Sequence, residues 1–367
     1  MHFLELIFLA FSGIQVLYLA VYLRVFVKQR SDKKKLFVPV SVVVCAHDEE
    51  QNLRELIPVL LQQDYHDFEI IVVEDRSNDE SFDYLHEVST QYNRVRLVSV
   101  KNKPEHVNGK KFALTLGIKA AKNDWILLTD ADCYPRSTQW IKEMSGRFSE
   151  ETDIVLGYSP YIRSSGFLNS FIRYEGLTAA IHYMGMAMLG KPYMGVGRNL
   201  AYRKNVFLNN KGFRSHLSLT GGDDDLFINE VSNSNNTKQC MGADSIVYSK
   251  PKTTWSDYYY QKLRHLSVGK HYKMADKWRL GIFNFTLIGF WLLIIPVLLN
   301  SSMIYVPLGA ILLRLILLVV LTSTASRKLG DAFEAWKAPF LDFIFSIYYL
   351  VIGLVALRTN KIRWKKT

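Results

Sequence analysis

Aspartates stand in pairs and triples at the ends of apolar runs in this chain, and their spacing suits metal and proton chemistry. Asp130-Ala131-Asp132 directly follows Trp125-Ile-Leu-Leu-Thr129, a run that reads as a buried strand. Two carboxylates leaving such a strand one residue apart can both face the crevice where open α/β sheets bind ligands. Such a pair suits a hard divalent cation bridging phosphate oxygens; a solvated acidic turn is the plainer alternative. Gly221-Gly-Asp223-Asp224-Asp225 places three carboxylates in a row. Their repulsion can raise one pKa toward the range that suits a general base. Two further clusters, Cys45-Ala46-His47-Asp48-Glu49-Glu50 and Val73-Glu74-Asp75-Arg76-Ser77-Asn78-Asp79, end apolar runs. Acids there can accept from a base N–H or from ribose hydroxyls, and the helix N-termini beside them favour phosphate. Helix capping is the competing reading, since Ser77-Asn78-Asp79 is a good N-cap set.

The elements that must position these groups alternate. Val38–Cys45, Phe68–Val73, Val95–Val100 and Trp125–Thr129 read as strands, and Glu49–Gln63, Ser81–Gln91 and Lys110–Ala121 as the helices between them. Strands alternating with helices of this length predict βαβ units and a mostly parallel sheet. After about residue 150 the alternation loosens, and Phe167–Leu189 is an apolar, aromatic stretch expected to pack on the domain or on a membrane surface. No internal repeat or low-complexity segment occurs.

The 367 residues are 49% hydrophobic, with the excess in four stretches: Leu6–Leu23, Ile282–Leu299, Met303–Leu321 and Phe340–Leu357. Each approaches the ~20 residues needed to cross a bilayer. The first carries Glu5 early and is followed by Arg24, Lys28, Arg30 and Lys33-Lys34-Lys35, which fits an anchor and not a signal peptide. Positive charge after the anchor, and at Arg327, Lys328 and Lys337, predicts a cytoplasmic domain in the cell's inner membrane. The tail conflicts with that rule. Three full crossings would put Arg358, Lys361, Arg363, Lys365 and Lys366 outside. Either Phe340–Leu357, which contains Asp342, lies in the interface or re-enters, or the rule fails here. The net charge of +11 concentrates beside apolar segments, the pattern of attraction to anionic headgroups, so a membrane and not nucleic acid is expected as partner. Cys45, Cys133 and Cys240 form no zinc or disulfide pattern. The linear division expected is an anchor at 1–28, a catalytic domain at 36–250, an interfacial amphipathic region at 251–280, membrane segments at 281–357 and a basic tail at 358–367.

Taken in order, the acidic turn after the first strand, Glu74-Asp75-x-Ser77-x-Asp79, Gly109-Lys110-Lys111, Asp130-x-Asp132, Lys211-Gly-Phe213, Gly221–Leu226 and Gln261-Lys-Leu-Arg264-His265 resemble the family 2 glycosyltransferases of membrane-bound bacterial type. The resemblance covers roughly residues 38–272. It implies the GT-A fold and transfer of a sugar from a nucleotide-diphospho-sugar, most commonly a UDP-sugar, with Mg2+ or Mn2+. Asp130 and Asp132 would hold the metal on the diphosphate. Ala46, Asp48, Glu49, Asp75, Lys110, Asp130, Gln261 and Arg264 would bind the donor, Asp75 and the first turn holding base and ribose. Gln261 and Arg264 match a Gln-x-x-Arg-Trp element that closes over the diphosphate. The base would be Asp223, counting back from Leu226, or Asp224, from the paired acids; Arg264 would steady the leaving group. The residue types make chemical sense, because metal and guanidinium offset charge building on the leaving diphosphate.

Departures refine the expectation. His47-Asp48 stands where the family more often has Asn before Glu, Glu74 replaces the usual first Asp, and His265 replaces the Trp of processive synthases. With three C-terminal apolar segments, non-processive inverting transfer to a lipid or lipid-linked acceptor is the expected function. A processive polysaccharide synthase is the nearest rival, and a catalytically silent nucleotide-binding scaffold is the alternative of another class. Smaller features stay open. Gly195-Val-Gly197-Arg198-Asn199 shapes the sugar or acceptor site or is a tight turn before a strand. Trp255–Tyr272 is an interfacial or an ordinary surface helix, and His265 and His271 within it reach phosphate or metal or are structural. Cys133 is expected to be a packing residue. Arg314 meets a lipid phosphate or pairs with another segment.

Overall fold

The computed structural model describes residues 3–28, 37–105 and 107–358. The basic run at 33–35 and the tail beyond Arg358 lie outside the described residues. In chain order the elements are α1 (Phe3–Val27), β1 (Val40–Ala46), α2 (Glu50–Leu61), β2 (Phe68–Glu74), α3 (Ser81–Gln91), β3 (Val95–Ser99), α4 (Gly109–Ala120), β4 (Trp125–Asp130), β5 (Cys133–Pro135), α5 (Trp140–Ser145) and β6 (Ile154–Leu156). There follow α6 (Phe167–Met188), β7 (Leu200–Arg203), α7 (Lys204–Asn209), α8 (Asp225–Val231), β8 (Thr237–Gln239), β9 (Val247–Ser249), α9 (Trp255–Val268), α10 (Met274–Asn300), α11 (Tyr305–Leu329) and α12 (Ala338–Arg358). The chain divides into two compact units, residues 30–162 with 186–251, and residues 1–29 with 163–185 and 252–367. Segment 163–185, within the 36–250 domain on the linear reading, therefore clusters with the apolar helices.

The first unit is built on a seven-stranded sheet in the order β3-β2-β1-β4-β7-β6-β8. β3, β2, β1 and β4 run parallel, and only β7 runs against its neighbours. The central strands β1, β2 and β4 are mostly apolar and buried, as in parallel sheets covered on both faces. Leu53, Leu56, Ile57 and Leu60 of α2 join Val40, Val42, Val44, Ile70 and Val72 in one buried cluster. On α4 the close approach runs through Gly117, where a Cβ would lie 2.7 Å from methyl carbons of both Val43 and Val73. A short antiparallel pair, β5 with β9, carries the chain away just past Asp132.

The second unit gathers α1, α6, α9, α10, α11 and α12. Among the described residues, four helices are long and apolar enough to cross a membrane: Phe3–Val27, Met274–Asn300, Tyr305–Leu329 and Ala335–Ala356. Large apolar side chains such as Phe285, Leu292, Ile295, Leu312 and Ile316 are exposed on them. Their inner faces carry polar contacts. Arg314, fully buried on α11, pairs with Asp342 of α12 at 2.8 Å. Asp342 also accepts hydrogen bonds from Trp291 of α10 (2.7 Å) and Tyr174 of α6 (2.9 Å), and Arg314 donates to Gln15 of α1 (3.2 Å). Of the two readings of Arg314, pairing with another segment is the one observed.

Candidate active site

The crevice beyond the carboxyl ends of β1, β2 and β4 is where this fold collects its acids. At β1 and β2 the turns are tied together: Asp48 accepts from the Asn78 N–H (2.7 Å), and the N–H groups of Asp48, Glu49 and Glu50 donate to Ser77, Ser81 and Asp79. Glu74 accepts from the Ser77 N–H, and Asp79 from the Ser81 N–H. Most of these side chains therefore act as turn and helix caps. Asp48 and Arg76 adopt positive φ angles of 54° and 56°, a region rare for residues with a Cβ and frequent at ligand sites. The Ala46 carbonyl accepts from the Asp75 N–H at 2.8 Å. The largely buried Asp75 carboxylate binds the Arg76 guanidinium and lies against Gly109, where a Cβ would be 3.0 Å from Asp75 Oδ2.

Lys110 joins the separate clusters. Opening α4 next to Gly109, its ammonium lies 2.9 Å from Asp130 Oδ1 and 3.1 Å from Asp223 Oδ2. Burial disfavours its charge, but Asp130, Asp223 and Asp224 outweigh that and hold its pKa well above the usual lysine range. Lys111, buried beside it, donates to the carbonyls of His216 (2.5 Å) and Leu219 (3.1 Å), fastening the loop that leads to Asp223. Burial takes Lys111 down to about 8. Gly221 and Gly222, at φ 89° and 83°, turn that loop into α8 in a conformation suited to glycine.

The three aspartates at this turn differ. Burial would raise Asp223, but the Lys110 ammonium outweighs it and holds that carboxyl below its usual range. Burial, and then the charge of Asp223, push Asp224 above the usual range. Asp224 caps α8 by accepting from the Asp225 N–H (2.8 Å), and its other oxygen accepts from Gly197 N–H (2.7 Å). Asp225 lies in the first turn of α8, mostly buried.

Asp130, Asp132 and Cys133 offer ligand atoms within 4.8 Å of one another. Burial holds the Cys133 thiol protonated, its pKa raised, so the donor set is two carboxylates, which fits a hard divalent ion with phosphate oxygens completing its shell. Cys133 packs in the core as expected.

The sequence-expected residues Asp75, Lys110, Asp130, Asp132, Asp223 and Asp224 thus meet in one unit, with Ala46, Asp48 and Glu49 on the adjoining turn. Gln261 and Arg264 lie on α9, in the other unit. Two contacts escaped the sequence reading: the hold of Lys111 on the 216–219 loop, and the hydrogen bond by which the Gly195–Asn199 turn, itself singled out there, meets Asp224. The turn had a signal in its paired glycines, while a buried lysine has none.

Residues 41–208 match the family model for glycosyl transferase family 2. Glycosyltransferase GlyG of Streptococcus pneumoniae is 33% identical over 129 residues, 35% of this chain and 41% of that protein. WfaP of Escherichia coli, a UDP-Glc:α-D-GlcNAc-diphosphoundecaprenol β-1,3-glucosyltransferase, is 25% identical over 129 residues, 35% of this chain and 48% of that protein. The matches thus span less than half of these curated relatives' lengths. In three dimensions the chain is similar to the mannosyltransferase PcManGT from Pyrobaculum calidifontis, solved with GDP-Man and Mn2+, with a TM-score of 0.61 and 16% identity over 95% of this chain and 99% of that one. The matched segment spans β1 to α7, and with the acidic crevice at the ends of its parallel strands residues 41–208 carry the pattern of glycosyltransferase family 2 on a GT-A-like fold.

Proposed function

We propose that this protein transfers one sugar from a nucleotide-diphospho-sugar to a hydroxyl on a lipid or lipid-linked acceptor at a membrane, with inversion at the anomeric carbon. The observation that carries the reading is the convergence of Asp130 and Asp223 on one ammonium, Lys110, at 2.9 and 3.1 Å. It brings the metal-type pair and the acid-rich turn into one site. Asp130 and Asp132 are the residues to hold Mg2+ or Mn2+, which when bound offsets charge on the diphosphate. Lys110 adds a fixed positive charge beside the departing phosphate. Asp75 and the Ala46–Glu49 turn receive the nucleoside.

Asp224 takes the acceptor proton in this reading. Asp223 is held ionised by Lys110 and is the weaker base, whereas Asp224 is raised toward a useful range. Its two backbone hydrogen bonds fix its direction, and the pull of Lys110 on it is smaller than the push of burial and Asp223. The four apolar helices support a membrane-associated enzyme. Basic residues at the end of α1, Arg24 and Lys28, favour a cytoplasmic catalytic domain. WfaP, whose name gives a UDP-sugar donor and a diphosphoundecaprenol-linked acceptor, supports a lipid-linked acceptor and UDP as leaving group.

The test is release of UDP or GDP by the purified full chain, supplied with Mn2+, nucleotide-sugars and membrane lipid extract. Release should depend on the metal. Asp132→Asn should abolish it, and Asp224→Asn should lower it by roughly 10²–10⁴, the usual contribution of a general base. Wild-type rates in Asp132→Asn and in the Asp223→Asn/Asp224→Asn double variant would sink the reading.

A further inference from the structure

Arg198 stands out among the charged groups of the crevice because its backbone is locked while its guanidinium is free. On one side, the Gly197 N–H donates to Asp224 at 2.7 Å. On the other, Asn199 is fully buried. Its Oδ1 accepts from the Trp140 indole (3.0 Å), and its Nδ2 donates to the carbonyls of Tyr158 (2.8 Å) and Ser245 (2.7 Å). The side chain rests on the ring of Tyr161, its Cζ 4.6 Å from the centroid. Among the described residues the guanidinium makes no hydrogen bond and no ion pair. Burial works against its charge, and Tyr161, Cys133 and then the carboxylates of Asp130 and Asp132 act the other way.

A stacked guanidinium is pre-organised, and its fork of N–H donors matches phosphate oxygens. Arg203, five residues on at the end of β7, shows the contrast: its donors are spent on Thr152, Ser149 and Asp124. A divalent ion on Asp130 and Asp132 would stand near the Arg198 charge. Two positive centres that close repel unless an anion lies between them. We propose that Arg198 binds a phosphate oxygen of the substrate, at the junction between the Asp130–Asp132 pair and the Asp224 turn. This rests on the transferase reading above. The phosphate belongs either to the donor diphosphate or to a phosphate on the acceptor.

The experiment compares the full chain with Arg198→Gln and Arg198→Lys by calorimetry, titrating UDP, UMP and GDP with Mn2+. A thermal-shift titration of glycerol 3-phosphate at saturating Mn2+ and nucleotide forms the second arm. If the donor supplies the phosphate, Arg198→Gln weakens the diphosphate by roughly tenfold or more, the size of one lost charge-assisted hydrogen bond. Arg198→Lys, which keeps the charge and loses the fork, should fall between. If the acceptor supplies it, nucleotide affinity stays and the glycerol 3-phosphate shift disappears. A variant with lowered Tm but unchanged response in both arms shows that Arg198 only packs on Tyr161, and overturns the proposal. So does an unchanged variant. Wild-type protein that binds no nucleotide overturns the transferase reading itself, and this inference with it.

Discussion

At the scale of single residues, the site is organised by what Lys110 does to two neighbouring acids. It lowers Asp223 directly, and the ionised Asp223 then adds to burial in raising Asp224. A base works only when deprotonated, so activity is expected to fall as pH drops through the raised Asp224 value, above the ~3.9 of an ordinary aspartate. Asp223→Asn removes the neighbouring negative charge, so the acid limb of the kcat/KM profile should move to lower pH while much of the rate survives. A limb that stays put, or a variant as inactive as Asp224→Asn, assigns the proton to Asp223 instead. Most of this site was legible in the sequence, because carboxylates at strand ends announce themselves by position. The division of labour between Asp223 and Asp224 was not. It depends on which oxygen meets Lys110 and which meets the Gly197 N–H, and those partners come from segments 113 and 27 residues away.

Among the elements, α4 carries the most, since its first turn supplies Lys110 and Lys111 and its inner face seals the sheet. Gly117 sets how deeply it seats. In Gly117→Ala the new Cβ meets the Val43 and Val73 methyls at 2.7 Å, inside a packed core. Overpacking of that kind costs about 1–3 kcal/mol, against about 1 kcal/mol returned by better helix propensity. The expected outcome is a lower Tm, with Lys110 displaced and nucleotide binding weakened. Adding Val73→Ala should recover part of both. A Gly117→Ala protein more stable than wild type would show that α4 has slack against the sheet. The strands and helices from β1 to β4 were readable to within two residues at most ends, because buried parallel strands are continuous apolar runs and the helices keep their spacing. The three-residue strands β5, β6, β8 and β9 were not, and β7 showed only as the strand that one reading puts after the Gly195–Asn199 turn. Each is too short to show a period and takes its place from its neighbours.

For the molecule as a whole, the sequence showed four apolar segments and not what binds them to one another. Length and composition are local, whereas Arg314, Asp342, Gln15, Trp291 and Tyr174 meet from five helices spread along the chain. Apolar helices gain nothing from the hydrophobic effect against lipid tails, so close packing and polar contacts must select their pairing. The buried ion pair is the strongest candidate for that role, its cation also lying over the ring of Phe290 at 4.5 Å. Removing one partner leaves the other charged and unpaired, which costs about 3–5 kcal/mol in buried pairs. Asp342→Leu and Arg314→Met should each lower the Tm of the detergent-solubilised protein markedly. The double variant should recover most of the loss, since replacing both partners by apolar groups is often neutral. Additive losses in the double variant would mean that the pair is not a unit, and that Trp291 and Tyr174 hold Asp342 without Arg314. Full recovery of Tm with loss of transfer would place the ion pair in the service of the reaction and not of the fold.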